Sequence, residues 1–430
     1  ARKMKDSGIE WIGEIPEGWE IRKIKNNFMI YAGATPKSEK TEYWDGGIPW
    51  ITPADFKTTD KYVSYGRKSL TALGYDSCGT TLVPTGSIIF SKRAPVGSVV
   101  IAKNALCTNQ GCLACIPNDA VNSTYFYYCM SIFTEQFELV SAGTTFKEIA
   151  ASTFASFLLP CPPLSQQNEI VNFLDKESSR IDSMLSKTRS SIEEYKKLKQ
   201  AVITQAVTKG VRGEREMKDS GVKWIGEIPK EWGRTKIKMI ASFFNGDRTS
   251  RYPQPSDFVD AGVAFLTSRN IDSDEVDLSE TKYITDDKYK SLSGAKIQVD
   301  DIIFCLRGSV GKCAINRTLS CGTVASSLAT IRPKDIYPKY LLYFLLSNIA
   351  STQTTIFMNG TCAANLSAEN VGNYYITLPN SAEQKEIADH LDAKCAEIDK
   401  LIAKKEQLVK ELESYKKSLI YEVVTGKREV

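Results

Sequence analysis

Sixteen residues near the start of the chain occur twice. Met4-Lys-Asp-Ser-Gly-Ile-Glu-Trp-Ile-Gly-Glu-Ile-Pro-Glu-Gly-Trp19 returns as Met217-Lys-Asp-Ser-Gly-Val-Lys-Trp-Ile-Gly-Glu-Ile-Pro-Lys-Glu-Trp232, with twelve positions identical at an offset of 213. Chance does not produce this. The chain is a tandem duplication, so whatever one half folds into, the other must fold into as well. The correspondence continues through Lys23-Ile-Lys25 with Lys236-Ile-Lys238, Gly47-Ile-Pro-Trp50 with Gly262-Val-Ala-Phe265, Ile88-Ile-Phe90 with Ile302-Ile-Phe304, and Gly143-Thr144 with Gly360-Thr361. The offset drifts from 213 to 217, as small loop insertions produce.

Each half ends in a regular stretch, residues 166–208 and 383–425, where 13 of 43 paired positions are identical without a gap. A stripe spaced alternately by four and three runs Leu174, Ser178, Ile181, Leu185, Thr188, Ile192, Tyr195, Lys199, Val202, Ala206. Its copy reads Leu391, Cys395, Ile398, Ile402, Lys405, Val409, Leu412, Lys416, Leu419, Val423. This is the seam of a coiled coil, narrower than the face of a packed surface helix. Its interruptions recur in both copies, Thr188 with Lys405 and Lys199 with Lys416. A solitary helix of this length is marginal in water, so each is expected to pair with the other. The first stripe covers 33 residues, about 50 Å at ~1.5 Å per residue. The linker Val207-Thr-Lys-Gly leads into the second copy, and the end Val424-Thr-Gly-Lys resembles it. That implies a cyclic layout with a pseudo-two-fold axis. If the helices run antiparallel, a globule sits at each end.

Composition narrows the chemistry. At roughly 150 residues per domain, 430 residues leave room for two globules and a helical part. No run approaches the ~18 apolar residues of a membrane helix, and the opening Ala-Arg-Lys-Met lacks the apolar core of a signal peptide. Eleven scattered cysteines suit free thiols in a reducing cytoplasm. His390 is the single histidine, which leaves little material for His-based zinc sites or catalytic triads. No phosphate-binding loop is present, and Gly308-Ser-Val-Gly-Lys312-Cys fails the spacing and the final hydroxyl. The pair Cys112 and Cys115 maps to Ser326 and Ala329 in the second half, which argues against zinc. Catalysis is expected to be supplied elsewhere, with no cofactor and no metal on this chain.

In the globules, short apolar runs at 48–52, 87–91, 99–102, 263–267, 301–305 and 314–316 read as strands, and 124–138 and 338–352 read as helical. The expected class is therefore mixed α/β: two globular α/β domains, residues 1–165 and 213–382, with spacer helices in 166–212 and 383–430. Basic residues punctuate the loops: Lys37, Lys92, Arg93 and Lys147, then Arg248, Arg251, Arg269, Arg307 and Lys312. Several stand beside glycines or hydroxyls such as Thr35, a mixture suited to phosphate contacts, while arginine can read a guanine edge. Arg93 and Arg307 are the most suggestive, because each follows an Ile-Ile-Phe strand by three residues. The net charge of +4 is too mild to identify a nucleic-acid binder alone. Trp50 and Phe265 read as core.

The Met-Lys-Asp-Ser-Gly-x-x-Trp-Ile-Gly-x-Ile-Pro-x-x-Trp opening resembles the specificity (S) subunits of type I restriction–modification systems. So do Pro-Cys-Pro-Pro-Leu-Ser-Gln-Gln-Asn-Glu-Ile170 and Leu378-Pro-Asn-Ser-Ala-Glu-Gln-Lys-Glu-Ile387 ahead of the helices, and the likeness covers the whole chain. It implies two target-recognition domains, each reading one half of a split double-stranded DNA sequence. It also implies helices that set the spacer and dock two methyltransferase (M) subunits, and restriction (R) subunits that join the complex. S-adenosylmethionine, ATP and Mg2+ then belong to the partner subunits, and methylation is at adenine N6. This chain lacks the Asn/Asp-Pro-Pro-Tyr/Phe motif of such methyltransferases. The halves keep their helices in fixed register while the basic loops diverge, as two unlike readers of an asymmetric target would. Two other classes stay open: a type II specificity subunit of the same architecture, and a coiled-coil scaffold that binds proteins or glycans. Steep weakening by salt would separate DNA binding from the scaffold.

Overall fold

The computed structural model describes residues 2–57, 60–93, 95–143, 147–272, 274–358 and 366–430. Of the Gly143-Thr144 and Gly360-Thr361 correspondence, Thr144, Gly360 and Thr361 lie outside these residues. The chain divides into two compact units, residues 1–188 with 407–430, and residues 189–406. The first is thus made from both ends of the polypeptide.

In the first unit a five-stranded sheet runs in the order Phe28–Ala32, Cys112–Pro117, Ile88–Ser91, Val99–Ala102, Tyr62–Val63. All pairs are antiparallel except the last. Phe90 pairs with Leu113 and Val99, and the strand Ile88–Ser91 is wholly buried, as its unbroken apolar run requires. A three-stranded sheet sets Trp44–Ile51 between Cys107–Thr108 and Lys68–Leu70. The repeated opening motif makes a hairpin, Met4–Asp6 against Glu14–Pro16, and Glu20–Lys23 pairs with Leu158–Cys161.

The second unit repeats this plan. One sheet is ordered Ala241–Asn245, Leu328–Pro333, Ile302–Cys305, Cys313–Ile315; the other Phe258–Val259, Lys282–Ile284, Val263–Leu266, Gly322–Val324. The hairpin returns as Met217–Asp219 with Glu227–Pro229, and Gly233–Lys236 pairs with Tyr375–Leu378. Each expected strand overlaps an observed one with ends within a residue or so, except that the strand expected from 48 begins four residues earlier, at Trp44. The two helical stretches are each broken in the middle, into Ser123–Ile132 and Thr134–Leu139, and into Pro338–Leu346 and Asn348–Met358. The breaks fall at Phe133 and Ser347, whose backbones leave helical geometry so that both short helices can pack on the core.

The long helices are Leu164–Lys209 and Ser381–Val424. All twenty stripe residues are buried or half-buried, whereas neighbours such as Glu193, Glu194 and Lys197 are exposed. In the first unit Asp182 takes Lys416 Nζ at 2.7 Å, and Phe173 lies under the Arg428 guanidinium. In the second unit Lys199 Nζ reaches Asp399 at 2.7 Å, and Lys405 Nζ covers the Tyr195 ring. Partner numbers fall as residue numbers rise, so within each unit the helices run antiparallel. Lys199 and Lys416, the shared interruptions of the apolar stripe, form duplicated cross-helix ion pairs, because each faces the Asp of the opposite copy.

Each globule holds its helices by matching contacts. Trp19 Nε1 donates to Gln166 at 2.7 Å, with the Arg2 guanidinium over the indole. Trp232 Nε1 donates to Glu383 at 3.0 Å, with Arg215 in the same place. Tyr125 Oη donates to the Val424 carbonyl at 2.9 Å, and Thr377 Oγ1 donates to that of Val207 at 2.6 Å. These carbonyls lie in the last turns of the helices and would otherwise be left without a partner inside a core.

Candidate nucleic-acid interface

In the first unit the chain leaves strand Phe28–Ala32 at Gly33, where a Cβ would lie 2.2 Å from the Asn109 carbonyl oxygen. Only glycine allows this approach, and it brings the 33–37 and 109–111 loops together. Ala34 N donates to Thr108 O at 3.0 Å, and Trp50 Nε1 donates to Ala34 O at 3.0 Å. Thr35 Oγ1 donates across the two loops to the side-chain oxygen of exposed Gln110. Lys92 N reaches Gly111 O at 2.9 Å, which adds the loop after Ile88–Ser91. A capping box, with Thr52 N on Asp55 at 2.9 Å, closes the end of the Trp44–Ile51 strand beside them.

The second unit builds the same junction from equivalent loops. A Cβ on Gly246 would lie 2.2 Å from the Ala325 carbonyl oxygen. Arg248 Nε donates to Ser326 O at 3.3 Å, Ala325 N to Leu266 O at 2.8 Å, and Leu306 N to Ser327 O at 2.9 Å. A capping box again ends the strand, with Thr267 N on Asn270 at 2.8 Å. Asp247 anchors the loop from beneath. Burial opposes its ionisation, but the hydroxyls and amides of Thr249 and Ser293 all donate to it and hold its carboxyl well below the usual carboxylate range.

The expected contact residues divide into two groups. Lys92 Nζ and Arg93 Nε both lie 2.9 Å from Glu148, whose carboxyl they keep below its ordinary value, Lys92 through the stronger hydrogen bond. Lys147 faces Glu138 at 3.9 Å, and Lys312 faces Asp272 at 2.8 Å. Lys37, Arg251, Arg269 and Arg307 are exposed and meet no carboxylate among the described residues. Arg93 and Arg307, matched in sequence, therefore differ in charge state of their surroundings: one is neutralised, the other is open. Trp50 and Phe265 are core side chains, and Trp44 packs edge-on against Trp50. Cys112 and Cys115 are wholly buried, and burial pushes both thiols far up. Among the described residues no His, Cys, Asp and Glu group is placed to hold a metal ion. No described helix is long and apolar enough to cross a membrane.

Sequence reasoning passed over Gln110, the Ser326 carbonyl and Glu148. The two capping boxes, Thr52-Pro-Ala-Asp55 and Thr267-Ser-Arg-Asn270, were signals that mark the same loop ends in both halves.

The defining pattern of the type I restriction modification DNA specificity domain matches residues 16–194 and 229–411. The chain is 28% identical to the type I restriction enzyme MjaIX specificity subunit of Methanocaldococcus jannaschii, over 86% of this chain and 84% of that protein. It is 24% identical to the EcoBI specificity subunit of Escherichia coli, over 93% and 84%. A chain solved in work on complex assembly and conformational transition of the type I R-M system superposes with a TM-score of 0.75, at 14% identity, over 96% of this chain and 99% of that one. The HsdS subunit from Thermoanaerobacter tengcongensis gives 0.52 at 14% identity, over 96% and 98%. The chain belongs to the type I restriction–modification DNA specificity family, as a specificity subunit: the non-catalytic component that recognises DNA sequence.

Proposed function

We propose that this chain recognises an asymmetric, two-part DNA target, one half-site per globule, and presents it to partner subunits that methylate and cut. The observation that carries this reading is the loop junction built twice on one backbone plan with different side chains. One copy is lined by Thr35, Lys37, Gln110, Lys92 and Arg93; the other by Arg248, Arg251, Arg269 and Arg307. Residues 1–165 and 213–382 are the two target-recognition domains. Lys147 and Lys312 contact phosphates when their carboxylate partners release them.

The long helices set the number of base pairs between half-sites and dock two methyltransferase subunits for adenine-N6 methylation. Restriction subunits complete the complex, and the assembly works in the cytoplasm on chromosomal DNA. The repeated seam, Leu174, Ile181, Leu185 and Ile192 with Leu391, Ile398, Ile402 and Val409, supports a spacer of constant length. Adding four residues to both helices, ~6 Å, lengthens the spacer by one or two base pairs at ~3.4 Å each; an unchanged spacer would sink the ruler.

The test of the whole reading is single-molecule sequencing of adenine methylation in the source organism with the gene intact and deleted. Loss of one asymmetric two-part N6-methyladenine motif is the expected result. An unchanged methylome in cells that express the chain would overturn it.

A further inference from the structure

Each loop junction is bridged by an exposed side chain with base-reading chemistry, and the two are chemically different. In the first unit the bridge is the Gln110 amide, with Thr35 donating to its oxygen from the opposite loop. In the second it is the Arg248 guanidinium, whose Nε is held by the Ser326 carbonyl from the opposite loop. Thr35 and Arg248 occupy the same place in the duplicated sequence, two residues after the glycines Gly33 and Gly246 that let the loops touch. The reader and its support have exchanged loops between the halves, while the bridge itself persists.

We infer that these bridging side chains read bases, and that the first half-site contains an adenine recognised by Gln110 while the second contains a guanine recognised by Arg248. This rests on the DNA-reading role proposed above. Both side chains are exposed, so they are free to enter a groove. The Gln110 oxygen keeps a second lone pair beside the bond from Thr35, so the amide can still accept from adenine N6 and donate to N7. Anchoring Arg248 through Nε leaves its two terminal nitrogens free to donate, the fork that matches guanine O6 and N7. An intramolecular hydrogen bond holds each group in a limited set of rotamers before DNA arrives, which lowers the ordering cost of binding. The surroundings fit the same division. Beside Gln110, Lys92 and Arg93 are occupied by Glu148 while Lys37 stays open, a point charge without the paired donor and acceptor that the amide offers a base edge. In the junction of Arg248 the open guanidinium groups of Arg251, Arg269 and Arg307 suit guanine edges, whose O6 and N7 are both acceptors, and the phosphates that flank them.

The experiment is selection of bound duplexes from a randomised library by the full chain in complex with its methyltransferase subunits, followed by binding of single-base variants of the selected site. Gln110→Ala is expected to relax one adenine position in one half-site by about ten- to a hundred-fold and leave the other half-site intact. Gln110→Glu should move that position towards cytosine, whose N4 donates to a carboxylate. Thr35→Val leaves the reader in place without its support, and should weaken discrimination at the same position. Arg248→Ala should relax one guanine in the other half-site only. Uniform weakening across all sequences with a shallower salt slope would make these phosphate contacts and overturn the inference, as would unchanged half-sites in both alanine variants. Absence of any sequence preference in the unaltered complex would instead overturn the DNA-reading role itself.

Discussion

Glu148 governs how much positive charge the first unit's loops present. It faces both Lys92 and Arg93 at 2.9 Å, so two cations that the sequence offers to DNA are held in an internal network. Glu148→Gln is expected to tighten non-specific DNA binding and steepen its salt dependence by about one to two units of log–log slope, at about 0.9 per phosphate engaged. Titrations of duplex DNA across a range of salt concentrations check this, and an unchanged slope would show that the pair was never available to phosphate. Asp247 has the opposite task, fixing a loop rather than muting a charge. Its carboxyl is held below the ordinary range in the folded state, so the folded chain binds fewer protons there than the unfolded one. The stabilisation is complete above pH ~4 and fades as pH falls through the lower folded value. Asp247→Asn should cost about 2 kcal/mol near neutrality, and thermal melts should show the gap from the unaltered protein closing in acid.

At the scale of elements, the helices are pinned by one ion pair used twice, Asp182 with Lys416 and Lys199 with Asp399. The lysines are half-buried in a mainly apolar seam, where a polar position selects register more than it adds stability. Lys416→Asp places two carboxylates face to face and should destabilise the chain by about 1 kcal/mol. Combining it with Asp182→Lys should restore most of that loss in chemical denaturation; failure of the exchange would mean the pair does not act as a unit. The helices were legible from spacing alone, because every stripe residue had a periodic reason to be apolar or shielded. The meaning of Lys199 and Lys416 was not, since periodicity reports which face a residue occupies and says nothing of the aspartate opposite. The same limit applied to the loops. Arg93 and Arg307 looked equivalent because their strands are, yet Glu148 lies 55 residues from Arg93 in sequence and meets it only through the fold. Gly33 and Gly246 could be matched, but the Thr35–Gln110 and Arg248–Ser326 bridges depend on loops that come together across a sheet.

At the scale of the whole molecule, the first unit is completed by the far end of the chain. Leu419, Ile420, Val423 and Val424 are buried in one core with Leu174, Ile181 and Tyr125. Their counterparts in the first helix, Val202, Ile203, Ala206 and Val207, pack in the second unit's core with Leu391 and Cys395. A polypeptide ending at residue 212 therefore carries a globule with an unfilled socket and, at the other end of a continuous helix, a plug of matching design. The expected outcome is a dimer of two such halves, each filling the other, measurable by sedimentation; a folded, soluble monomer would show that the socket can close unaided. Two identical readers related by a dyad can only select an inverted repeat, so the halved protein should bind a palindrome. On the proposed reading, the asymmetry of the target follows from joining plug and socket in one chain: the two readers are then free to diverge, and the vocabulary of addressable sequences grows from the set of single words to the set of their pairs.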